Sequence, residues 1–174
     1  DKNKMVSEFE KPFVILADRE FKSIHELMKP LEICLDANRP ILVVSNDLDG
    51  DALQGLVLNK VKGSLRVCAI KSPGFGSSRH DMLLDLQAVI GGTVISQSFD
   101  MNNFSIEDFG TCEKSITHKN MTMIITKDKL GTEKNVIDRI SGIKSKLSNT
   151  HSLQDGEADV LKYRLQQLSG GIAI

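Results

Sequence analysis

Cysteine is scarce in this chain. Cys34, Cys68 and Cys112 are the only three among 174 residues. Their odd number and wide spacing give no closed disulfide framework and match no zinc pattern, so they read as reduced, buried thiols. Charge of one sign is also lacking, because 22 Lys and Arg stand against 23 Asp and Glu, a net charge of −1. Without a basic arm or stripe there is no electrostatic footprint for nucleic acid. No apolar run approaches the ~18 residues that would argue for a bilayer-spanning helix, and no signal peptide is visible. Catalytic signatures are missing as well. No Walker A lysine motif and no Gly-x-Ser-x-Gly elbow is present. Gly74-Phe75-Gly76 lacks the third glycine of a dinucleotide fingerprint and reads as a tight turn with positive φ. His25, His80, His118 and His151 lie scattered on polar segments without ligand spacing, which predicts surface histidines. Together these absences favour a binding role over catalysis.

What remains is ordinary for a globular domain: 40% hydrophobic and 26% charged residues. The length predicts one domain with a sizeable core. Strand-like apolar runs at Phe13–Ala17, Ile41–Ser45, Leu65–Ile70 and Thr93–Ser96 alternate with helical periodicity, which argues a parallel α/β core. Ser23-x-x-Glu26 has capping-box spacing. It predicts a first turn over 23–28, followed by a helix with Pro30 in its first turn, where a missing N–H costs little. Ile24, Leu27, Met28, Leu31, Cys34 and Leu35 are expected on one face. Arg79–Ile90 reads as a helix closed by Gly91-Gly92. In the second half, a helical turn is expected at Ser105–Phe109, and 113–118 with 121–126 predict a hairpin across Lys119-Asn120. Charged helices follow at Thr132–Leu147, mildly broken by Gly142, and at Gln154–Ser169, with a loop over Ser148–Leu153.

Residues 41–63 carry the most information. A buried strand leads to an acidic turn holding Asp47, Asp49 and Asp51 around Gly50, then to a helix over 51–62 that ends at Gly63. At ~100° per residue, Ala52 and Leu56 lie together beside Gly55 and Asn59. Leu53, Val57 and Val61 form a second arc, with Leu58 beyond it. One apolar stripe docks a helix; a second implies full burial or a binding face. The small residues beside Leu56 point that arc inward and leave Leu53, Val57, Val61 and Leu58 outward.

The same turn admits an enzymatic alternative. A strand followed by Asp-x-Asp-Gly looks like the nucleophile loop of haloacid-dehalogenase-type phosphatases. There Asp47 would attack phosphorus, Asp49 would act as acid–base and Mg²⁺ would neutralise charge. Asp51 stands where that family has Thr or Val, and the adjacent acidic pair Glu107-Asp108 lies in a polar turn. Helix capping is the simpler role for these aspartates. The turn is not an EF-hand loop, which would need Gly and Glu where Ala52 and Leu58 stand.

The segments DLDGDALQGLVLNKVKG (47–63), RVCAIKSPGFG (66–76), IGGTVIS (90–96), SIEDFG (105–110) and LQQLSGGIAI (165–174) resemble, in order and spacing, the apical domain of group I chaperonins of the GroEL type. The resemblance runs from about Phe9 to Ile174. It implies a three-layer β/β/α fold of the swivelling type: a central parallel sheet, a second antiparallel sheet and flanking helices. It implies one domain over 1–174, excised from a chain roughly three times longer, and a start at Asp1 rather than Met suits that expectation. It implies a groove between two helices that binds unfolded polypeptides and a GroES-type cochaperonin. The matching positions are Met28 and Leu31 on the first helix and Leu53, Val57, Leu58 and Asn59 on the second. Gly170 and Gly171 match the hinge toward the intermediate domain. The family's proline before the first groove helix falls one place later here, at Pro30, and SPGFGSSR replaces a more basic loop end at Ser77 and Ser78. An aromatic-rich segment upstream of the matched region is absent, which should lower the affinity of the groove. The resemblance further implies ATP and Mg²⁺ in an equatorial domain outside this chain, so no turnover by the chain itself. A heptameric ring is implied for the whole protein, located in bacterial cytoplasm, mitochondrial matrix or plastid stroma.

Overall fold

The run FVILAD is buried along almost its whole length, as a strand covered on both faces must be. In the computed structural model it forms β2 (Phe13–Asp18), at the centre of a sheet that also contains β4 (Ile41–Ser45), β6 (Val67–Lys71) and β7 (Val94–Ser96). The spatial order is β6-β4-β2-β7, all parallel. A short strand, β8 (Gly110–Thr111), pairs antiparallel with the first residues of β2. The structure describes residues 6–61, 63, 65–126, 134–170 and 172–173.

Alternation along the strands divides the core in two. Phe13, Ile15, Ala17, Ile41 and Val43 face one cluster, completed by Leu27, Leu31 and Cys34 of the chain after β2 and by Ala52 and Leu56. These come from α1 (Met28–Ala37) and α2 (Gly50–Val61), preceded by a 3-10 turn over Ile24–Leu27. Phe104 and Phe109 close the same cluster, with Phe109 stacked on Phe13 at 4.7 Å between ring centroids. Val14, Leu16, Leu42 and Val44 face the opposite cluster with Leu83, Leu86 and Ile90 of α3 (Ser77–Ile90).

A second sheet has the order β1-β9-β10-β11 and is antiparallel throughout. Its strands are β1 (Ser7–Glu10), β9 (Lys114–Thr117), β10 (Thr122–Ile125) and β11 (Ile172–Ala173). Ile124 carries it into the α3-side core. The expected hairpin over 113–126 is present, closed by His118 N donating to Met121 O at 2.7 Å. Two further short strands, β3 (Glu20–Phe21) and β5 (Asp47–Leu48), extend beyond β2 and β4 and pair in parallel.

The helices α4 (Lys134–Ser148) and α5 (Glu157–Gly170) pack on each other and on α3 through a third cluster of Val136, Ile143, Leu161 and Leu168. The expected start of α4 at Thr132 lies outside the described residues. Gly142 does not break α4: the helix continues through it, anchored on either side by Val136 and Ile143. Asp85 of α3 binds this pair of helices electrostatically. Arg139 Nε and Arg164 Nε donate to its two carboxylate oxygens at 2.9 and 2.7 Å, and Arg164 Nη2 adds a bond of 3.0 Å. Burial works against the Arg164 charge, but the hydrogen bonds and charge of Asp85, with Asp81 behind it, hold the guanidinium more basic than usual. The architecture is the expected mixed α/β arrangement of a parallel sheet, a second antiparallel sheet and outer helices.

Candidate functional site

Ser23 and Glu26 form the expected capping box. The Glu26 carboxylate accepts from Lys22 N at 2.8 Å and Ser23 N at 3.0 Å, while its other oxygen receives Arg19 Nη2. Arg19 is buried. It also donates to Phe99 O and lies over the Phe21 ring at 5.0 Å. Sequence reasoning did not single out Arg19, since its partners Glu26 and Phe99 lie at unrelated spacings. The arginine ties the capped turn to the end of the central strand and so fixes the entry to α1.

α1 turns two lines of side chains in opposite directions. Leu27, Leu31 and Cys34 point into the core; Met28 and Leu35 point out, 42% and 45% exposed. Leu31 is only 4% exposed, which corrects its expected place in the groove. Helical phase supplies the reason. Leu31 falls on the line of Leu27 and Cys34, four residues after one and three before the other, whereas Met28 and Leu35 stand two turns apart on one line. The single broad face expected over 24–35 is therefore split, and Leu35 takes the outward place assigned to Leu31.

α2 begins where Asp49 O accepts Leu53 N at 2.9 Å. Asp49 Oδ1 accepts Gly50 N at 2.7 Å, and Asp47 Oδ1 accepts Leu48 N at 2.9 Å. Ala52 and Leu56 are buried, as expected from the small residues around them. Gly55 lies against the turn before α1: a Cβ there would sit 2.5 Å from Ile24 Cγ1. Only glycine allows that approach. Leu53, Val57 and Leu58 face outward at 47%, 50% and 59% exposure. The Asn59 and Val61 side chains lie outside the described residues, as does Gly171, while Gly170 is the last residue of α5. Met28 and Leu35 on α1 and Leu53, Val57 and Leu58 on α2 thus give each of two helices packed about the same turn an apolar outward face. Apolar side chains held in water at half exposure can gain roughly 25 cal/mol per Å² when a partner covers them.

The phosphatase alternative is not favoured. Asp47 and Asp49 are exposed and bind neighbouring backbone amides. Asp108 is occupied by Ser105 N and Thr93 Oγ1. Among the described residues, no three His, Cys, Asp or Glu side chains gather as a metal-holding group. All three cysteines are unpaired, and Cys34 and Cys112 are buried, as expected; Cys68 is only half-buried, on the edge strand β6 of the central sheet. Burial pushes the Cys34 thiol up to about 12, opposed by the Arg39 charge, and the Cys112 thiol up to about 11. Among the described residues, no helix is long and apolar enough to cross a membrane.

No protein-family model matches the sequence. Two solved structures of the chaperonin gp146 from the bacteriophage EL 2 (Pseudomonas aeruginosa), both in the presence of ATP-BeFx, are similar in fold. One superposes with a TM-score of 0.71 at 16% identity, covering 94% of this chain and 33% of that chain. The other, in a second crystal form, gives 0.68 at 17% identity, covering 94% and 32%. The chain therefore spans about a third of the structures it matches. Nearly the whole of this chain superposes on about a third of each of those structures, so it has the fold of a chaperonin domain.

Proposed function

We propose that this chain is the polypeptide-binding apical domain of an ATP-dependent group I chaperonin. The observation that carries the reading is the pair of outward apolar helix faces, Met28 and Leu35 on α1 with Leu53, Val57 and Leu58 on α2. Non-native chains expose apolar side chains, and such a surface takes them with little sequence preference. Met28, flexible and polarisable, adapts to different partners. Asn59, matched by the family resemblance, is assigned a polar contact to the bound polypeptide. A GroES-type cochaperonin is the second occupant of the same surface. It would displace clients as ATP and Mg²⁺, held in an equatorial domain beyond this chain, drive the motion of a heptameric ring. Gly170 and Gly171 serve as the hinge, since glycine permits the required backbone rotation.

The test uses a fluorescent apolar peptide and a cochaperonin-loop peptide, each titrated against the chain by anisotropy. Both should bind weakly and compete, because a single site lacks the avidity of a ring. Leu53→Glu and Val57→Glu should each remove both interactions, since a carboxylate in that face must lose its water without gaining a partner. Client affinity unchanged by saturating loop peptide would exclude a shared site. Peptide-induced amide shifts centred away from residues 28–62 would overturn the assignment altogether.

A further inference from the structure

We infer that the free edge of β6 takes a further strand, from an extended polypeptide segment that carries a carboxylate, beneath the overhanging flank of α2. The inference rests on the polypeptide-binding reading above and adds to it a docking mode and a client class. β6 is the outermost strand of the parallel sheet and pairs only with β4 among the described residues. Ile41 N donates to Arg66 O at 2.9 Å, and Ser72 N donates to Ser45 O at 2.8 Å. With Val67, Ala69 and Lys71 set opposite Ile41, Val43 and Ser45, the residues between them bond to β4. The N–H and C=O groups of Val67, Ala69 and Lys71 therefore point away from it. Ala69 and Lys71 are exposed, and among the described residues no hydrogen bond reaches their main chain. Such an edge is a template for another strand.

The side chains place this edge under α2. Val67 joins the core on the α1 and α2 side, while Cys68 and Ile70 pack on the α3 side. By alternation Ala69 and Lys71 share the face of Val67. Both are exposed, so α2 leaves the corner above them open. On that face α1 joins β2 to β4 and α2 joins β4 to β6. Gly55 settles which flank of α2 looks where, because it meets Ile24 in the turn before α1, on the β2 side. Leu53 and Val57 each lie two residues from Gly55, on the opposite side of the helix at ~3.6 residues per turn. They overhang the edge of β6, about half exposed. A strand laid along β6 at ~4.8 Å turns alternate side chains up against them.

Lys71 specifies the chemistry of that strand. It belongs to no ion pair among the described residues. Lysine on an edge strand guards against chance pairing, and a carboxylate placed opposite it lifts the guard. A second copy of β6 supplies none, since Val67–Lys71 contains no acid. A client strand with apolar residues along the α2 side and Asp or Glu opposite Lys71 does.

The test titrates fluorescent extended peptides against this chain by anisotropy. One alternates valine and threonine between terminal glutamates; another has lysines in their place. The glutamate peptide should bind roughly two- to five-fold tighter, and Lys71→Glu should reverse the order. Two further glutamate peptides are N-methylated on one or the other alternate set of residues. Whichever way the strand runs, only one set of its N–H groups faces β6. One methylated peptide should therefore lose about ten-fold in affinity while the other keeps it. Ala69→Pro removes an outward N–H but no bond to β4, a position where an edge strand tolerates proline. It should weaken the glutamate peptide by about ten-fold as well, and the methylated pair decides the matter in the unaltered chain whether or not that variant folds. Methylated peptides that bind alike would overturn strand addition, and glutamate and lysine peptides that bind alike would overturn the client class. A dimer in sedimentation that Ala69→Pro abolishes would give the edge to a second copy instead. Leu53→Glu separates the two levels. If it abolishes binding while the methylated peptides bind alike, the apolar site stands and strand addition falls; if it leaves binding intact, both fall.

Discussion

Replacing Asp85 with alanine removes the one carboxylate that, among the described residues, joins α3 to both α4 and α5. Asp85 is 8% exposed and accepts bonds from two arginines, of which Arg164 is 5% exposed. Without it, Arg164 keeps, among the described residues, Asp81 at 3.6 Å, on a side chain that is itself partly in water. Arg139 is less buried and retains the Asp81 carbonyl, so it recovers part of its loss by rehydration. Breaking a buried pair from one side costs ~3–5 kcal/mol. The rewetting of Arg139 places the expectation at the lower end, about 3 kcal/mol, or a fall in Tm of roughly 6–12 °C for a chain of this size. Urea melts followed by circular dichroism measure it directly. A control separates charge from packing: Asp85→Leu with Arg164→Met should recover most of the stability, because an apolar replacement of both partners strands no charge. A loss below ~1 kcal/mol in the alanine variant would refute the argument, since a surface pair loses no more than that.

Leu31→Ser should cost ~3 kcal/mol or more by leaving a cavity in the core, whereas Leu53→Ser and Val57→Ser should each cost under ~1 kcal/mol; denaturant melts of the three variants check this. Gly55→Ala should lose ~1–2 kcal/mol through overpacking against Ile24, despite a helix-propensity gain of about 1 kcal/mol. Its signature would be chemical-shift changes on both α2 and the 24–27 turn. The thiols set a pH dependence. Cys34 and Cys112 ionise at about 12 and 11 in the folded chain against an ordinary value of 9.0. Folded pKa values above the unfolded ones mean that their contribution is complete below pH 9.0 and is lost as pH rises toward those folded values. Urea melts on either side of pH 9.0 should show the decline, and iodoacetamide should label Cys68 well before Cys34 or Cys112 in the native protein.

Local chemistry made much of this fold legible in the sequence. Ile41–Ser45 is a strand with the expected bounds, the Ser23–Glu26 box caps the expected turn, and Gly91 closes α3 with φ 77°. Each depends on residues close in sequence. β1 was not legible, because its hydrogen bonds go to β9, more than a hundred residues later, and SEFE lacks the apolar density of a buried strand. β3, β5 and β8 are two residues each, too short for any periodicity. At the candidate site, the outward residues of α2 followed from phase alone, since Ala52, Gly55 and Leu56 marked the docking side. On α1 it is the family resemblance that sets Leu31 in the groove, and nothing in the local sequence marks that Leu31 shares the inward line of Leu27 and Cys34. Asp85, Arg139 and Arg164 read as ordinary helical charges; only the packing of three helices brings them together.

The contact between Gly55 and Ile24 bears on how the surface can be both firm and permissive. With no side chain at residue 55, the two helical segments sit at a separation set by one isoleucine, as rails are held by a tie. The Arg19–Glu26 contact and capping box secure one rail, and Ala52 and Leu56 bed down the other. The backbone thus has little freedom left to surrender when something settles across it. What remains adjustable is confined to the ends of side chains such as Met28 and Leu58, whose rotamers can follow whatever shape arrives. In the proposed polypeptide-binding role, the ordering entropy of an encounter would then fall mainly on the incoming chain. A receptor of that kind would discriminate by the disorder of its visitor: a folded protein offers no loose apolar segment to lay down, while an unfolded one offers many.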